Sequence, residues 1–416
     1  MRVRIHRGAH EIGGSCVEVE AGGSRLVLDV GRPLTAGRHE PVPLPEVSGF
    51  SAPNPSLLGV VITHGHQDHW GLAGQVPPSV PLYMGEATQR ILAEAAFWTS
   101  GLTVAPADFL AHRVPLELGP FRITPFLNDH SAFDAYSLLV EAGGRCLFYT
   151  GDIRGHGRKR GIFAELLRRP PGGVDVLLME GTSIGAREGH GAGESTEDEV
   201  EAACAAIFRA TVGMAVVVWS AQNIDRLVTV YRAARRAGRD LVIDLYTAGI
   251  ARATGNPNIP RPGADWPHVR VYAPPWQRVK VKEAGAFERV ETVKPYRVFE
   301  EHLAADPARY VAQFGLSVAS AFERAGCLEG ARAVWSLWPG YLKEPSGQKL
   351  TAFLQRARVT MSVEHSSGHA SVPDLQRLAA AIAPGRIVPI HSLGSHLFAR
   401  YFTGVTPEPD GAWWEV

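Results

Sequence analysis

The stretch ITHGHQDHWG, residues 62–71, sets His64, His66, Asp68 and His69 within six positions. The chain has 16 histidines in 416 residues, so three in six positions is improbable by chance. In an extended segment, side chains two positions apart face the same way, which lets His64 and His66 grip one cation together. Asp68 and His69 follow where the chain should turn, placed to face a second cation beside the first. Neutral imidazole and carboxylate suit Zn2+ or Mn2+.

Further acidic and histidine residues sit just past apolar runs. Asp29 ends RLVLD, His130 follows ITPFLND and Asp152 follows CLFYTG. Glu180 ends VDVLLME and His391 follows RIVPI. In open α/β sheets, sites form outside the carboxyl ends of strands. Taken singly, each such residue reads as a turn former. Together with His64 they supply more ligands than one metal needs, with Asp152 as a candidate bridge.

The elements that must position them are legible as alternating and continuous apolar runs. SCVEVE, SRLVLDV, LGVVIT, PFRITPFL, AYSLLVE, RCLFYT and VDVLLME predict strands across the first 180 residues, separated by Gly- and Pro-rich turns. GEATQRILAEAAFW, residues 85–98, predicts a helix, and the Pro-rich segment 41–59 a long, lid-like loop. From about residue 185 the pattern changes. GAREGHGAGE reads as a linker, followed by a helix with Ser195 and Asp198 in capping-box spacing. AVVVWS and DLVIDLY predict strands around a helix, NIDRLVTVYRAARRAG, that Gly238 stops. This alternation predicts a parallel α/β unit. ADPARYVAQFGLSVASAFERAG predicts one helix, with Asp306 as N-cap and Pro307 at its first position. ARAVWSLW, RVTMSVE and RIVPI predict further strands, and SVPDLQRLAAAIAPG a helix.

Bulk properties narrow the class. Lys+Arg and Asp+Glu balance at 42 each, so net charge announces no polyanion partner. Cys16, Cys146, Cys204 and Cys327 show no CxxC spacing and read as reduced, buried thiols of a cytoplasmic protein. MRVRIHRGAHEIGG has no apolar core of a signal peptide, and no apolar run reaches membrane-spanning length, so a soluble intracellular chain without membrane association is expected.

HGHQDH, residues 64–69, matches the HxHxDH signature of the metallo-β-lactamase fold, and the order Asp29, HxHxDH, His130, Asp152 resembles that superfamily's motif series. The remainder resembles its β-CASP branch, nucleases that include ribonuclease J and the endonuclease of pre-mRNA 3′-end processing. MEGTS (179–183), HSSGHA (365–370) and PIH (389–391) resemble that branch's motifs, centred on Glu180, His369 and His391. The resemblance spans nearly the whole chain. It implies an α/β protein with a four-layer αββα metallo-β-lactamase fold, residues 1–184 and 361–416, interrupted by an inserted α/β β-CASP domain at 185–360. It also implies that this chain lacks the extra C-terminal domain of ribonuclease J.

Carried over residue by residue, the resemblance gives His64, His66 and His130 to one metal and Asp68, His69 and His391 to another. Asp152 would bridge them, and Asp29 would be structural beside the site. The ions would be Zn2+, with Mn2+ as the alternative. Asp68, Glu180 and His369 are the candidate catalytic residues, and His365 and Ser367 the candidate substrate-phosphate ligands. A histidine at the position of His391 goes mostly with RNA substrates. Gln222 of WSAQN and Ser392-Leu393 depart from the branch's usual FASN and Gly-Glu, which bears on the 5′-phosphate pocket.

The chemistry implied is hydrolysis of single-stranded RNA, endo- or 5′-exo-acting, by a monomer or homodimer. A pair of metals answers the anionic phosphodiester, and a histidine near neutral pKa, His369 oriented by Glu180, suits protonation of the leaving 3′-oxygen. Competing readings are a DNA-directed nuclease of the same branch, a small-molecule metallo-hydrolase and a non-catalytic RNA scaffold. An insertion of roughly 175 residues argues against the small-molecule enzyme. Filled ligand positions argue against the scaffold. RGHGRKR (154–160) and QRVKVKE (277–283) could track a nucleic-acid backbone, and Trp335 and Trp338 could stack bases, although core packing is the better reading for at least one. GHGAGE has no Walker lysine and is set aside as a phosphate loop.

Overall fold

A computed structural model describes residues 1–37, 40–99, 101–185 and 195–416. Most of the linker read at 185–194, including GHGAGE, lies outside the described residues. The chain divides into two compact units. One comprises Met1–Ala93, Leu102–Glu194 and Gly368–Val416; the other comprises Glu94–Gly101 and Ser195–Ser367.

The first unit is built on two sheets. Among the described residues, one has seven strands in the order Trp413–Glu415, Arg2–Arg7, Cys16–Ala21, Ser24–Leu28, Leu57–Val61, Leu82–Gly85 and Asp108–Leu110. The other has six, in the order Arg386–Ile390, Val176–Glu180, Arg145–Tyr149, Tyr136–Ala142, Phe121–Leu127 and Leu116–Leu118. Their inner faces share one apolar layer: Val3, Ile5, Leu26 and Leu28 from the first sheet meet Phe121, Leu138, Leu147 and Leu178 from the second. The second sheet's outer face, with Phe148, Leu177 and Met179, is covered by helices Arg160–Arg168 and Val372–Ile382 through Phe163, Leu166, Leu375 and Leu378. The first sheet's outer face packs Val27, Val60, Ile62 and Met84 against Trp70, Leu72 and Leu92. Each such fully buried side chain stabilises by roughly 1.5–3 kcal/mol. This is the expected αββα layering. The Pro-rich loop 41–56 is pinned into the same outer layer by buried Val47 and Phe50.

Register fixes what stands at the strand ends. Ser24–Leu28 and Leu57–Val61 run parallel with Leu28 opposite Val61, which sets Asp29 against Thr63. Val176–Glu180 and Arg386–Ile390 run parallel with Glu180 opposite Ile390, which sets His391 one residue beyond Glu180's level.

The second unit is an all-parallel sheet, in the order Val269–Val271, Asp240–Ile243, Tyr310–Gln313, Ala215–Val218, Arg332–Trp335 and Thr360–Val363 among the described residues. Ala215–Val218 is buried at every position, as a strand covered on both faces should be. Side-chain caps start some of its helices: Asn223 caps Ile224–Arg236, and Asp244 caps Leu245–Ala253, a helix the sequence reading missed.

Two local readings are corrected. The helix Glu197–Ala210 is capped by Thr196 with Glu199 in a complete capping box, one residue later than the Ser195–Asp198 pairing. The segment expected as one helix from Asp306 is instead a 3-10 turn Pro307–Arg309, a strand Tyr310–Gln313 and a helix Leu316–Arg324. Val311 and Ala312 are fully buried between two parallel neighbours, and burial there overrides a pattern that a short apolar run leaves ambiguous. No helix among the described residues is long and apolar enough to cross a membrane.

Candidate metal centre

Nine of the residues singled out from the sequence come together in the first unit. His64 follows the strand Leu57–Val61, His66 caps the four-residue helix Gln67–Trp70, and that helix carries Asp68 and His69. The ligand atoms form overlapping groups within 4.8 Å: His64, His66, His130 and Asp152; then Asp68, His69, Asp152 and His391; then Asp152, Glu180, His369 and His391. Asp152 belongs to all three.

Hydrogen bonds aim the imidazoles. The Nδ1 of His64 lies 3.0 Å from the Thr63 hydroxyl, that of His69 2.8 Å from Asp29 and that of His130 2.6 Å from the Gly368 carbonyl. The Nδ1 of His391 lies 2.9 Å from the Thr182 hydroxyl. Each ring therefore uses Nδ1 on the protein and turns Nε2 inward, the tautomer a metal ligand needs. His66 presents Nδ1 instead, 3.0 Å from His130 Nε2. On the other side, His391 Nε2 is 3.2 Å from Asp68 and His69 Nε2 is 3.2 Å from Asp152.

Asp29 anchors this arrangement without facing inward. It is fully buried, and its carboxylate accepts the Thr63 N–H at 2.7 Å, the Thr63 hydroxyl at 2.9 Å and the Tyr149 hydroxyl at 2.9 Å, besides His69. Asp29 and His391 both adopt left-handed backbone, φ 60° and 52°, a conformation held against its intrinsic cost by surrounding structure. Gly31 is required for a different reason: a Cβ there would stand 1.8 Å from the Asp68 carbonyl oxygen.

The electrostatics separate two kinds of group. Burial holds the His64 and His130 imidazoles well below the usual histidine range, so they remain neutral donors. Burial also opposes charge on His69, but Asp152 and Asp29 outweigh it and raise its pKa well above that range. His369 behaves likewise: burial opposes its charge, while Glu180 and Asp152 raise it to about 9. Its Nδ1 lies 3.3 Å from the Glu180 carboxylate, which is itself held by the backbone N–H groups of Ile153 and Thr182.

A divalent cation fits these residues. Among the described residues, His64 Nε2, His69 Nε2 and both Asp152 oxygens are buried and make no hydrogen bond, the His69–Asp152 contact being an ion pair. Leaving such atoms unsatisfied costs about 1–3 kcal/mol each, more for charged groups. The donor set is nitrogen and oxygen only, which suits zinc or manganese and does not separate them.

Residues that the sequence reading did not single out complete the frame. Thr63, Thr182 and Tyr149 orient ligands; the signal available was a hydroxyl directly before His64 and within MEGTS. RGHGRKR is only partly solvent-facing, at Arg158, Lys159 and Arg160. Arg154 is fully buried beside Asp129, and Lys159 donates to the His130 carbonyl at 2.7 Å. His365 and Ser367 fall in the second unit, on the loop after Thr360–Val363. So does Gln222, which donates to the Tyr246 hydroxyl at 2.9 Å. Trp335 is core and Trp338 is exposed. Ser392 bonds the Gly181 carbonyl at 2.8 Å, while Leu393 is exposed. All four cysteines are free and buried.

Comparison with known proteins agrees with this geometry. The model of the "Beta-lactamase superfamily domain" matches residues 37–218. Ribonuclease J of Mycobacterium tuberculosis (strain ATCC 25618 / H37Rv) is 29% identical over 252 residues, 58% of this chain and 43% of that protein. The chain thus covers less than half the length of that relative. Ribonuclease J of Mycolicibacterium smegmatis is 25% identical over 438 residues, 98% of this chain and 72% of the relative. A crystal structure of a protein of unknown function from Enterococcus faecalis V583 shares the fold, with TM-score 0.79 at 20% identity over 99% of both chains. The chain is thus similar to the metallo-β-lactamase superfamily over residues 37–218 and to ribonuclease J along most of its length.

Proposed function

We propose that this protein is a metal-dependent ribonuclease that hydrolyses phosphodiester bonds of single-stranded RNA at a dinuclear centre. The observation that carries this reading is the convergence of six ligand residues around the shared Asp152, with the His369–Glu180 pair beside them. His64, His66 and His130 would hold one ion and Asp68, His69 and His391 the other, with Asp152 between. When bound, two divalent cations, Zn2+ or Mn2+, supply Lewis acidity: they neutralise phosphoryl oxygens and acidify a water nucleophile.

The chain's own residues do the rest. Asp29, Thr63, Thr182 and the Gly368 carbonyl fix the inward nitrogens, so little reorganisation is left for the reaction. Asp68 orients the nucleophile's side of the centre. Glu180 holds His369 by Nδ1 and leaves Nε2 to give its proton to the leaving 3′-oxygen. His365 and Ser367 are assigned to substrate phosphate on the resemblance alone. The first unit is the metallo-β-lactamase domain and the second the β-CASP insertion. His391 tilts the substrate toward RNA over DNA. The relatives named ribonuclease J support the same choice, and free cysteines suit a cytoplasmic setting.

The test uses matched single-stranded RNA and DNA oligonucleotides, 5′-phosphorylated and 3′-labelled, with Zn2+ or Mn2+ and a His66→Ala control. RNA-only cleavage lost in the variant is the expected result, and the product ladder reads endo against exo mode. DNA cleavage would move the chain to the DNA-directed reading. Cleavage of neither would return weight to a small-substrate hydrolase or a scaffold.

A further inference from the structure

The second unit contains a cavity of about 110 Å3 formed by the helix Leu245–Ala253, the loop at Arg261 and the segment Arg289–Val293, with Glu94 at its wall. Three guanidinium groups, Arg252, Arg261 and Arg289, line it against the single carboxylate of Glu94, leaving two positive charges in excess. Glu94 is engaged by Arg289 and by the Trp98 indole N–H at 2.9 Å. Arg289 also stacks over Phe97 at 4.0 Å, so its position is accounted for. The other two are not. Arg252 donates to the Thr292 hydroxyl at 3.2 Å, and Arg261 to the Asn256 carbonyl at 2.7 Å. Each guanidinium carries five N–H donors in a rigid fork, and neither of these two forks meets a carboxylate among the described residues.

The cavity is shaped as well as charged. Gly249 lies on the helix face under Glu94, where a Cβ would stand 2.0 Å from the Glu94 carboxylate oxygen. Glycine there seats Glu94 against Arg289 and leaves Arg252 and Arg261 to the open space. Both guanidiniums line this one small polar cavity, Arg252 from its exposed side, and an anion seated there would offset their mutual repulsion. A tetrahedral oxyanion matches their forks bidentately.

We propose that this cavity is a phosphate-binding site separate from the metal centre, holding one phosphate group through Arg252 and Arg261. The group could be free phosphate or a phosphodiester of a bound nucleic-acid strand; the nucleic-acid source rests on the ribonuclease reading, the free-phosphate source does not. The experiment compares the wild-type protein with Arg252→Gln/Arg261→Gln in two arms.

In the first arm, inorganic phosphate is titrated calorimetrically into each metal-loaded protein. The metal centre can take phosphate in both, so the result is the difference between them. A second binding component, weakened at least tenfold in the variant, establishes the free-phosphate source. In the second arm, affinity for a single-stranded RNA oligonucleotide is followed against salt, in a His66→Ala background that prevents cleavage. Each backbone phosphate that is no longer neutralised lowers the log–log slope by about 0.7, so a fall of about 0.7 establishes the backbone source. Identical phosphate titrations and identical salt slopes overturn the proposal. If the glutamine pair fails to fold, the single variants Arg252→Gln and Arg261→Gln replace it, and unchanged phosphate titrations and salt slopes in both overturn the proposal equally. Failure of wild-type RNA cleavage would refute the ribonuclease reading while the phosphate arm still stands. A normal nuclease with no difference in either arm would refute only this site.

Discussion

Asp29→Asn changes one atom that never faces the proposed metals, yet it should weaken binding at one of their positions. The carboxylate accepts from the Thr63 N–H at 2.7 Å through Oδ1 and from His69 Nδ1 at 2.8 Å and the Tyr149 hydroxyl at 2.9 Å through Oδ2. An amide nitrogen at Oδ1 would confront the Thr63 N–H. At Oδ2 it would confront the His69 N–H. His69 can relieve the second conflict only by moving its proton to Nε2, the nitrogen turned toward Asp152 at 3.2 Å, which closes its inward lone pair. A hydrogen bond to a charged group contributes about 1.5–3 kcal/mol. Loss of that tautomer control should therefore weaken metal binding about 10–100-fold at the position His69 serves, the range typical of partners that orient a ligand. Metal content by mass spectrometry, with competition against a chelator, reads this directly while circular dichroism checks the fold. Wild-type occupancy and wild-type chelator resistance in Asp29→Asn would refute the claim that Asp29 sets the His69 tautomer.

Other perturbations separate chemistry from architecture. His369→Ala should lower RNA turnover by roughly 100-fold or more, as loss of a general acid does, and leave metal content unchanged; loss of metal would show a structural or ligating role. Gly31→Ala sets a Cβ 1.8 Å from the Asp68 carbonyl and should cost about 1–3 kcal/mol or more, read as a lowered Tm together with weakened metal binding. Glu18 is buried and opposed by that burial, but its contacts to His6 at 2.9 Å and to Arg25 lower its pKa. A depressed folded-state value stabilises above the unfolded carboxylate pKa, near 4.3, and the contribution disappears as pH falls through the folded value. In urea melts the advantage of wild type over Glu18→Gln should thus be full at pH 6 and shrink below about pH 4; a gap constant down to pH 3 would contradict it.

The parts of the site legible in the sequence were those written locally. HGHQDH announces itself because strand alternation and one helical turn bring neighbours in sequence to neighbouring positions in space. Asp29, His130, Asp152, Glu180 and His391 could be named because each ends an apolar run. That they gather follows from parallel register, such as Leu28 opposite Val61 and Glu180 opposite Ile390, which no single run displays. The orienting groups were less visible for the same reason: Tyr149 reaches Asp29 across 120 positions, and Gly368 reaches His130 across 238. In the second unit, Val311 and Ala312 were read as helix because a four-residue buried strand carries no period of its own. RGHGRKR reads by composition as a candidate to track a nucleic-acid backbone, but Arg154 finds a buried partner in Asp129 that composition does not reveal.

The central claim is that two metals, held around Asp152, make this chain a ribonuclease. The most direct test removes all metal with a chelator, adds Zn2+ or Mn2+ back in measured equivalents and follows cleavage of a single-stranded RNA oligonucleotide at each step. No cleavage by the metal-free protein, with activity rising to a plateau at two equivalents and abolished in Asp152→Ala, is the predicted result. Cleavage without metal, or none with two equivalents bound, would contradict it.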